Sequence, residues 1–412
     1  MAGMAATAGA LGLSPAGMAA AALDSSTAAT PGAAIEPFYG RHQGGILSAQ
    51  QRSLVFGAFD LSCGQRSEVI ALLQRWTAAA ARMSRGDSAA PQGTQADGVA
   101  ADGGSALGLG AARLTITFGF GPGLFERDGV DRYALASRRP AALVDLPKFN
   151  GDQLLPEKSG GDLGVQVCAD DPQVALYALR QLNRLAQGVA ALKWLQTGFA
   201  SAPRAGGTGR NLMGFKDGSN NPPRDQAAAM ERIVWVGDEG GWMKNGSYSV
   251  VRRIRIALEH WDNTELEFQQ QVVGRQKDNG APLGQTREFD ALDLQARDAH
   301  GELLIPANAH ARLASAALND GAQILRRAYS YSDGASFISE RWPPWRQGVM
   351  LDAGLFFIAY QRDPRSGFIK INQKLAREDI MNQYTTHVGS AIFACPAGVS
   401  PGGYIGAALF AA

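Results

Sequence analysis

The chain has 412 residues, of which 45% are hydrophobic and 19% charged, and its formal net charge is +1. The balance of 39 basic against 38 acidic residues argues against a nucleic-acid-binding protein, which usually presents a basic face. The sequence contains no run of about 20 strongly apolar residues, so no stable membrane span is predicted. The length of the chain predicts two domains or a duplicated unit.

The first 35 residues differ in composition from the rest of the chain. Residues 1–23 contain no charged side chain and are mainly small, and a segment rich in Ser, Thr, Ala and Pro continues to about Glu36. This composition predicts the remnant of an export signal, with an Ala-rich disordered tail as the alternative. The weak hydrophobicity suits twin-arginine export, although no Arg-Arg pair precedes it. The expected location is therefore periplasmic or secreted.

From Glu36 onward, apolar periodicity predicts strands that alternate with helices. In the first half, the predicted strands are 53–61, 112–118, 164–168 and 192–199, and the predicted helices are 67–83 and 172–187. A segment rich in Gly, Ala, Asp and Ser at 86–110 predicts a surface loop. In the second half, the predicted strands are 248–259, 352–361 and 387–393, with helices near 265–273 and 368–378.

The two halves resemble each other in the order of these elements. We therefore predict an α+β fold of duplicated ferredoxin-like domains, in which each antiparallel sheet has helices packed on one face. The predicted N-terminal domain covers 36–205 and the predicted C-terminal domain covers 206–412.

Few residues are available as metal ligands. The three cysteines are far apart and form no C-x-x-C pair, which argues against a zinc knuckle and against covalent c-type haem attachment. Any metal or haem site must draw on five histidines: His42, His260, His300, His310 and His387.

The loop at 209–222, with the sequence GRNLMGFKDGSNNP, is the first candidate site. Gly214 and Gly218 flank Asp217 and permit backbone conformations or close approaches that a side chain would prevent. The four residues GFKD at 214–217 alone are compatible with an ordinary Asp-Gly turn. The longer string favours a functional loop.

The second candidate site contains His310 in the string IPANAHARL. Arg312 follows two residues later, and the pair Arg326 and Arg327 opens a stretch rich in tyrosine. A single histidine is more often structural than a ligand. This combination nevertheless suits an anionic macrocycle, because iron takes a neutral imidazole and propionates take guanidinium groups.

Several separated strings resemble the dye-decolorizing peroxidase family, and more narrowly its exported deferrochelatase/peroxidase branch. The strings are PFYGRHQGGI at 37–46, GFKDGSNNP at 214–222, GRQKDNGAPLG at 274–284, AHARL at 309–313, ILRRAYSYS at 324–332 and LDAGLFFIAYQ at 351–361. The resemblance implies one haem b per chain, held in the C-terminal half. It also implies reduction of hydrogen peroxide through a ferryl intermediate and oxidation of dyes, phenols or other bulky organic donors.

The resemblance assigns roles to individual residues. It implies that Asp217 is the distal acid/base, that His310 is the proximal iron ligand, and that Arg326 is the distal arginine, with Arg327 as the one-residue alternative. Four further cofactor contacts are expected at Gly214, Phe215, Gly218 and the propionate partner Arg312. On the strand at 351–361, Asp352 is expected to accept a hydrogen bond from His310, and Leu355 and Phe357 to line the haem pocket.

These residue types suit peroxide chemistry on physical grounds. A base must take a proton from one peroxide oxygen and return it to the other, which leaves as water. A guanidinium group offsets the charge that develops on the departing oxygen. A carboxylate base starts from a pKa of about 3.9, against about 6.5 for imidazole, so an acidic pH optimum is expected.

Two other functions remain open at this point. The first is a deferrochelatase, which would release iron from haem and leave the porphyrin intact. The second is a haem-binding partner without turnover in a periplasmic iron-uptake system. The partners expected overall are hydrogen peroxide and organic donors, with an iron-uptake system and a homodimer as further candidates.

Overall fold

The computed structural model describes residues 34–91, 93, 100–201, 203, 207–339 and 347–411. The predicted export signal at 1–35 lies outside the described residues except for its last two positions, and the predicted loop at 86–110 is described only in part. Among the described residues, no helix is both long enough and apolar enough to cross a membrane.

Nine strands and nine α-helices are found in the described part of the chain. The strands are β1 (Ser53–Leu61), β2 (Thr115–Phe120), β3 (Leu163–Ala169), β4 (Ala190–Phe199), β5 (Ser247–Ile256), β6 (Leu325–Arg326), β7 (Tyr329–Ser339), β8 (Gln347–Gln361) and β9 (Thr385–Cys395). The helices are α1 (Arg66–Met83), α2 (Pro122–Phe125), α3 (Pro172–Leu185), α4 (Ala227–Ile233), α5 (Leu258–Trp261), α6 (Leu266–Val273), α7 (His310–Leu313), α8 (Lys370–Glu378) and α9 (Ala407–Phe410).

The strand order confirms the predicted duplicated ferredoxin-like fold. The first half runs β1-α1-β2-β3-α3-β4 and pairs its strands in the order β4-β1-β3-β2, all antiparallel. The second half repeats this order as β9-β5-β8-β7, with α8 between β8 and β9. Both halves thus have the β-α-β-β-α-β arrangement of the ferredoxin-like motif.

Strand pairing joins the two halves into one sheet. At one seam Phe120 of β2 pairs with Ala394 of β9, and at the other Phe199 of β4 pairs with Ser330 of β7. Because β5 also pairs with β8, the sheet closes on itself. A division into domains at 205/206 stays a prediction, since this sheet is continuous across it.

The core lies on both faces of this sheet. Along β1, Val55 and Phe59 pack with α1 and α3 in one apolar cluster, while Phe56 packs in a second cluster with Trp194 and Phe356. Successive strand residues point to opposite faces. Burial on both faces therefore explains why 53–61 is a nearly continuous apolar run in which every residue from Leu54 to Phe59 is buried.

The second half positions the candidate site between sheet and helices. Ile254 and Ile256 of β5 and Leu355 and Phe357 of β8 line one side of a cavity, as expected from the two-residue period of strands. The opposite wall includes α7 and α8. The predicted helix at 368–378 begins only at Lys370, because 365–369 forms a wider turn of π type.

Candidate functional site

The cavity between the sheet and helices α7 and α8 has a volume of about 240 Å³. Its walls are largely apolar, with Val273, Leu355, Phe357 and Phe368 among them. The polar residues that line the same cavity include His310, Asp217, Arg326, Arg275 and Asp379. An apolar cavity with a few convergent polar groups is the usual form of a ligand or cofactor site.

His310 presents one ring nitrogen to this cavity. It is the first residue of α7, and its Nδ1 lies 2.6 Å from Oδ2 of Asp379. One third of the His310 side chain remains exposed. Burial alone would lower the pKa of His310, but the charge and hydrogen bond of Asp379 raise it net above its ordinary value. With Nδ1 engaged, Nε2 is the nitrogen available as a ligand.

Asp379 is held firmly in place. It follows the last residue of α8, and its Oδ1 accepts a hydrogen bond of 2.9 Å from the backbone N–H of Met381. Only 6% of Asp379 is exposed. A buried carboxylate on the second ring nitrogen fixes the tautomer of a metal-binding histidine and raises its basicity.

The predicted partner of His310, Asp352, is therefore wrong. Oδ2 of Asp352 accepts a hydrogen bond of 2.9 Å from Nη2 of Arg253 instead. The reason is the period of the strand: Leu355 and Phe357 face the cavity, so the even-numbered Asp352 lies on the opposite face of β8. In one regular strand, Asp352 cannot contact His310 while Leu355 and Phe357 line the same cavity.

Asp217 and Arg326 form an ion pair at the cavity. Nη1 of Arg326 donates to Oδ1 of Asp217 over 2.8 Å, and Nδ2 of Asn211 is 3.4 Å from the other carboxylate oxygen. The side chain of Arg326 is 26% exposed and that of Asp217 is 15% exposed. Both lie close enough to His310 to influence its pKa. The structure thus brings together the three residues that the sequence indicated as catalytic or ligating.

The structure also distinguishes Arg326 from Arg327. Arg326 lines the cavity, and its backbone N–H and C=O are both hydrogen-bonded to the side chain of Asn221. The side chain of Arg327 is 1% exposed and donates to the carbonyl of Ser48 and to Gln51. Neighbouring residues in extended backbone point to opposite sides, which explains the separation.

The loop that carries Asp217 is held by a buried carboxylate that the sequence did not single out. Glu288, 9% exposed, accepts from Lys216 over 2.5 Å and from Oγ of Ser219 over 2.9 Å. These two donors flank Asp217 in sequence. The backbone N–H of Asp217 also donates to the carbonyl of Gly209 over 2.9 Å.

The other predicted cofactor contacts divide into two groups. Phe215 and Gly218 line the cavity, together with Leu355 and Phe357, whereas Gly214 does not. Gly214 has a φ of +83°, and a Cβ there would lie 2.7 Å from Cε of Lys277, so its role is conformational.

The side chain of Arg312, the predicted propionate contact, is engaged outside this cavity. Its Nη1 donates over 2.7 Å to the backbone carbonyl of Leu294, and the residue is absent from the cavity wall within the described part of the chain. The position two residues after His310 in a four-residue helix turns this side chain away from the cavity.

Arg275 is a further functional candidate that sequence reasoning missed. It lines the cavity, is 8% exposed, and donates to the backbone carbonyls of Gly280 and Glu288. Burial and the positive charge of Arg326 lower its pKa. The only signal in the sequence was its place in the string GRQKDNGAPLG, which carried no individual role.

These residues fit an iron porphyrin better than a bare metal ion. Among the described residues, no group of three or more His, Cys, Asp or Glu side chains is arranged to hold an ion. The site offers a single basic imidazole nitrogen, apolar walls for a flat macrocycle, and an Asp–Arg pair. Haem iron needs one protein nitrogen of this kind, because the porphyrin supplies the other four.

Comparison with known proteins agrees with this geometry. Family models described as the N-terminal and C-terminal parts of Dyp-type peroxidase match residues 43–200 and 208–400. A dye-decolorizing peroxidase of Thermobifida fusca is 40% identical over 83% of this chain and 75% of that protein. A deferrochelatase of Escherichia coli K12 is 34% identical over 91% of this chain and 87% of that protein. The solved structure of ferric DtpA from Streptomyces lividans superposes with a TM-score of 0.83 and 39% identity, over 92% of this chain and 98% of that chain.

Proposed function

This chain belongs to the Dyp-type peroxidase family and is a haem peroxidase, and we propose that it holds one haem b through Nε2 of His310. The same proposal gives Asp217 and Arg326 the task of activating hydrogen peroxide for the oxidation of bulky organic donors. The observation that carries it is the arrangement in one cavity of two paired groups, His310 with Asp379 and Asp217 with Arg326.

The chemistry divides between cofactor and protein. Haem, when bound, supplies the redox centre that takes electrons from the organic donor and delivers them to peroxide. Asp217 accepts a proton from one peroxide oxygen and returns it to the other, which leaves as water. Arg326 holds the carboxylate in place through its 2.8 Å hydrogen bond and offsets the negative charge on the departing oxygen.

On the ligand side, Asp379 acts through His310. Its hydrogen bond keeps the proton of the imidazole on Nδ1, so that Nε2 is free to bind iron. It also increases the electron donation of the ring. This assigns to Asp379 the role that the sequence had given to Asp352.

A second cavity supports access of small molecules to Asp217. It has a volume of about 230 Å³ and shares Asn211, Asp217 and Leu355 with the first cavity. Its remaining wall includes polar residues such as Gln50, Ser201 and Ser330. We assign it to the entry of peroxide, since a bulky dye requires contact with the cofactor edge or the protein surface instead.

The decisive test is an absorption spectrum of the purified protein before and after the change His310→Ala. A Soret band that is lost or strongly shifted in the variant supports ligation by His310, whereas an unchanged band refutes it. Asp217→Asn should then slow the reaction with peroxide by about 100-fold or more while haem stays bound. Loss of haem from this variant would mean that Asp217 is structural.

The pH dependence offers a further test of the carboxylate base. A carboxylate stays ionised in mild acid, where an imidazole base would be protonated. Dye oxidation is therefore expected to peak below pH 7. A profile that peaks clearly above pH 7 would contradict the role of Asp217.

The similarity to the Escherichia coli deferrochelatase supports a second candidate function in the same cavity. Incubation of the protein with haem in the absence of peroxide should release protoporphyrin if iron removal occurs. Fluorescence of the free porphyrin measures this directly, and its absence would leave peroxidase activity as the function.

The composition of residues 1–35 supports export to the periplasm or the medium by a twin-arginine route. Fractionation of cells that express the chain with its native leader tests this location. We also propose a homodimer and a partner in iron uptake, and sedimentation of the purified chain tests the first of these proposals.

A further inference from the structure

One end of the cavity contains polar side chains that have no role in the proposed mechanism. It lies between α8, β9 and the segment that precedes β3. The side chains that line it are Asn150, Asp152, Asn372, Asn382, Thr385 and His387. These polar side chains are separate from the groups around His310 and the Asp217–Arg326 pair, which the proposed mechanism already uses.

A buried arginine fixes the hydrogen-bonding state of His387. The side chain of Arg252 is fully buried, and its Nε donates over 2.9 Å to Nδ1 of His387. The same guanidinium group donates over 2.9 Å to Oγ of Ser390 and pairs with Asp152. Arginine has donors only, so Nδ1 of His387 must accept and the ring proton must lie on Nε2.

This arrangement also keeps His387 neutral. Burial and the adjacent positive charge of Arg252 hold the pKa of His387 well below its usual range. A neutral ring with a cation at its acceptor nitrogen is a polarised donor at the other nitrogen. The charge of Arg252 itself is matched by Asp152, whose side chain is only 2% exposed.

The Nε2–H group of His387 has no acceptor among the described residues, although the residue lines the cavity. Asn372 is similar: it is 7% exposed, lines the same cavity, and has no hydrogen-bond partner in the described part of the chain. Both side chains line the cavity, so their unpartnered donors are available to a polar group of a molecule held there.

The charges around the cavity decide what kind of group it is. Each carboxylate that lines the cavity within the described residues already has a partner: Asp152 has Arg252, Asp217 has Arg326, and Asp379 has His310. The fixed donor of His387 calls for an acceptor, and a carboxylate is the strongest acceptor of this type. The porphyrin of haem b carries two propionate carboxylates.

We propose that His387 donates its Nε2–H to a propionate of the bound porphyrin, so that this end of the cavity receives the propionate edge. The inference rests on the proposed function and gives the propionate a partner in place of Arg312. His387 is thus a cofactor-positioning residue, and Arg252 acts through it by fixing its tautomer.

Two substitutions separate this role from a structural one. His387→Asn places an amide oxygen near the position of Nδ1, where it can still accept from Arg252, but leaves no donor that reaches the cavity. His387→Gln retains a donor near the position of Nε2. The Gln variant is therefore the matched control, and thermal unfolding checks that both full-length variants fold.

The measurement is the rate at which haem leaves the full chain for excess apomyoglobin in a buffer free of carboxylates. Wild type and both variants are loaded either with haem b or with its dimethyl ester, in which the propionates are esterified. For haem b, His387→Asn should raise the rate about 10- to 100-fold, the value of one hydrogen bond to a charged group. His387→Gln should stay within about 3-fold of wild type on the same scale. For the dimethyl ester, the three proteins should release the cofactor at similar rates.

Two results would overturn the inference. The first is an unchanged rate of haem b loss in His387→Asn. The second is an equal acceleration for haem b and its dimethyl ester, which would assign His387 a structural role only. Failure of the proposed function is distinguishable from these two results, because the wild-type protein would then lack a Soret band that depends on His310.

Discussion

The hydrogen bond between Asp379 and His310 should set the reduction potential of the bound iron. The substitution Asp379→Asn keeps the size of the side chain and removes its negative charge. The bond is only 2.6 Å long, and Asp379 is 6% exposed, so solvent screens it little. A ring that donates fewer electrons stabilises ferric iron less, and the ferric/ferrous midpoint potential should therefore rise.

The size of the shift follows from the strength of the bond. A hydrogen bond to a charged group contributes about 1.5–3 kcal/mol, against about 0.5–1.5 kcal/mol for a neutral one. The difference between the charged and the neutral hydrogen bond is thus about 1.4 kcal/mol. This free energy corresponds to about 60 mV for a one-electron couple. Spectroelectrochemical titration of the holoenzyme measures this shift, and haem affinity should fall by about 10-fold in parallel.

Asp352→Asn is the matched control for this experiment. Asp352 is the carboxylate that the sequence favoured, but it pairs with Arg253 on the other face of β8. Its substitution should leave the midpoint potential unchanged. The reasoning would be refuted if Asp379→Asn produced no shift, or if both variants shifted the potential equally.

Three further outcomes are expected. Arg326→Gln should slow the reaction with peroxide by about 100-fold, which stopped-flow kinetics measures. Arg327→Gln should mainly lower the free energy of unfolding, by about 2 kcal/mol, because Arg327 is buried away from the cavity. Urea unfolding measures this second effect. Glu288→Gln should reduce kcat/KM for peroxide by about 10-fold, because the loop that carries Asp217 loses a charged hydrogen-bond acceptor; an unchanged kcat/KM would show that the loop holds its shape without it. The depressed pKa of His387 means that only the unfolded chain takes up a proton there below about pH 6.5, so stability should fall as pH falls. Between pH 7.5 and 5.5 the haem-free wild type should lose on the order of 1 kcal/mol more than His387→Asn in urea unfolding, and equal losses would contradict this.

The sequence predicted the fold well where burial imposes a simple period. The strand predicted at 53–61 is found as Ser53–Leu61, because both of its faces are covered. In contrast, β7 was missed. Its second half is exposed and polar from Ser332 to Ser336, so no alternation of apolar residues indicated a strand, and its pairing with β8 determines its structure instead.

The candidate site was predictable only where it is local in sequence. Asp217 and its glycines lie in one loop, and His310 lies in one short string. Asp379 gave no comparable signal, since it is 69 residues from His310 and ends a helix of ordinary composition. Asp352 lies close in sequence to Leu355 and Phe357, but the two-residue period of β8 places its side chain on the other face of the strand.

The second half of the chain does not build the cavity alone. Phe149, Asn150 and Asp152 line it and precede the predicted boundary at 205/206. Asp152 neutralises Arg252, which is fully buried and in turn fixes the proton of His387. Removing one partner of a buried ion pair typically costs about 3–5 kcal/mol. A C-terminal fragment would therefore expose or leave unpaired the charge of Arg252, and the polar end of the cavity would lose its defined donor. The cavity therefore depends on residues of both ferredoxin-like halves. The repeat of elements alone does not indicate this, because it assigns the whole cavity to the second half.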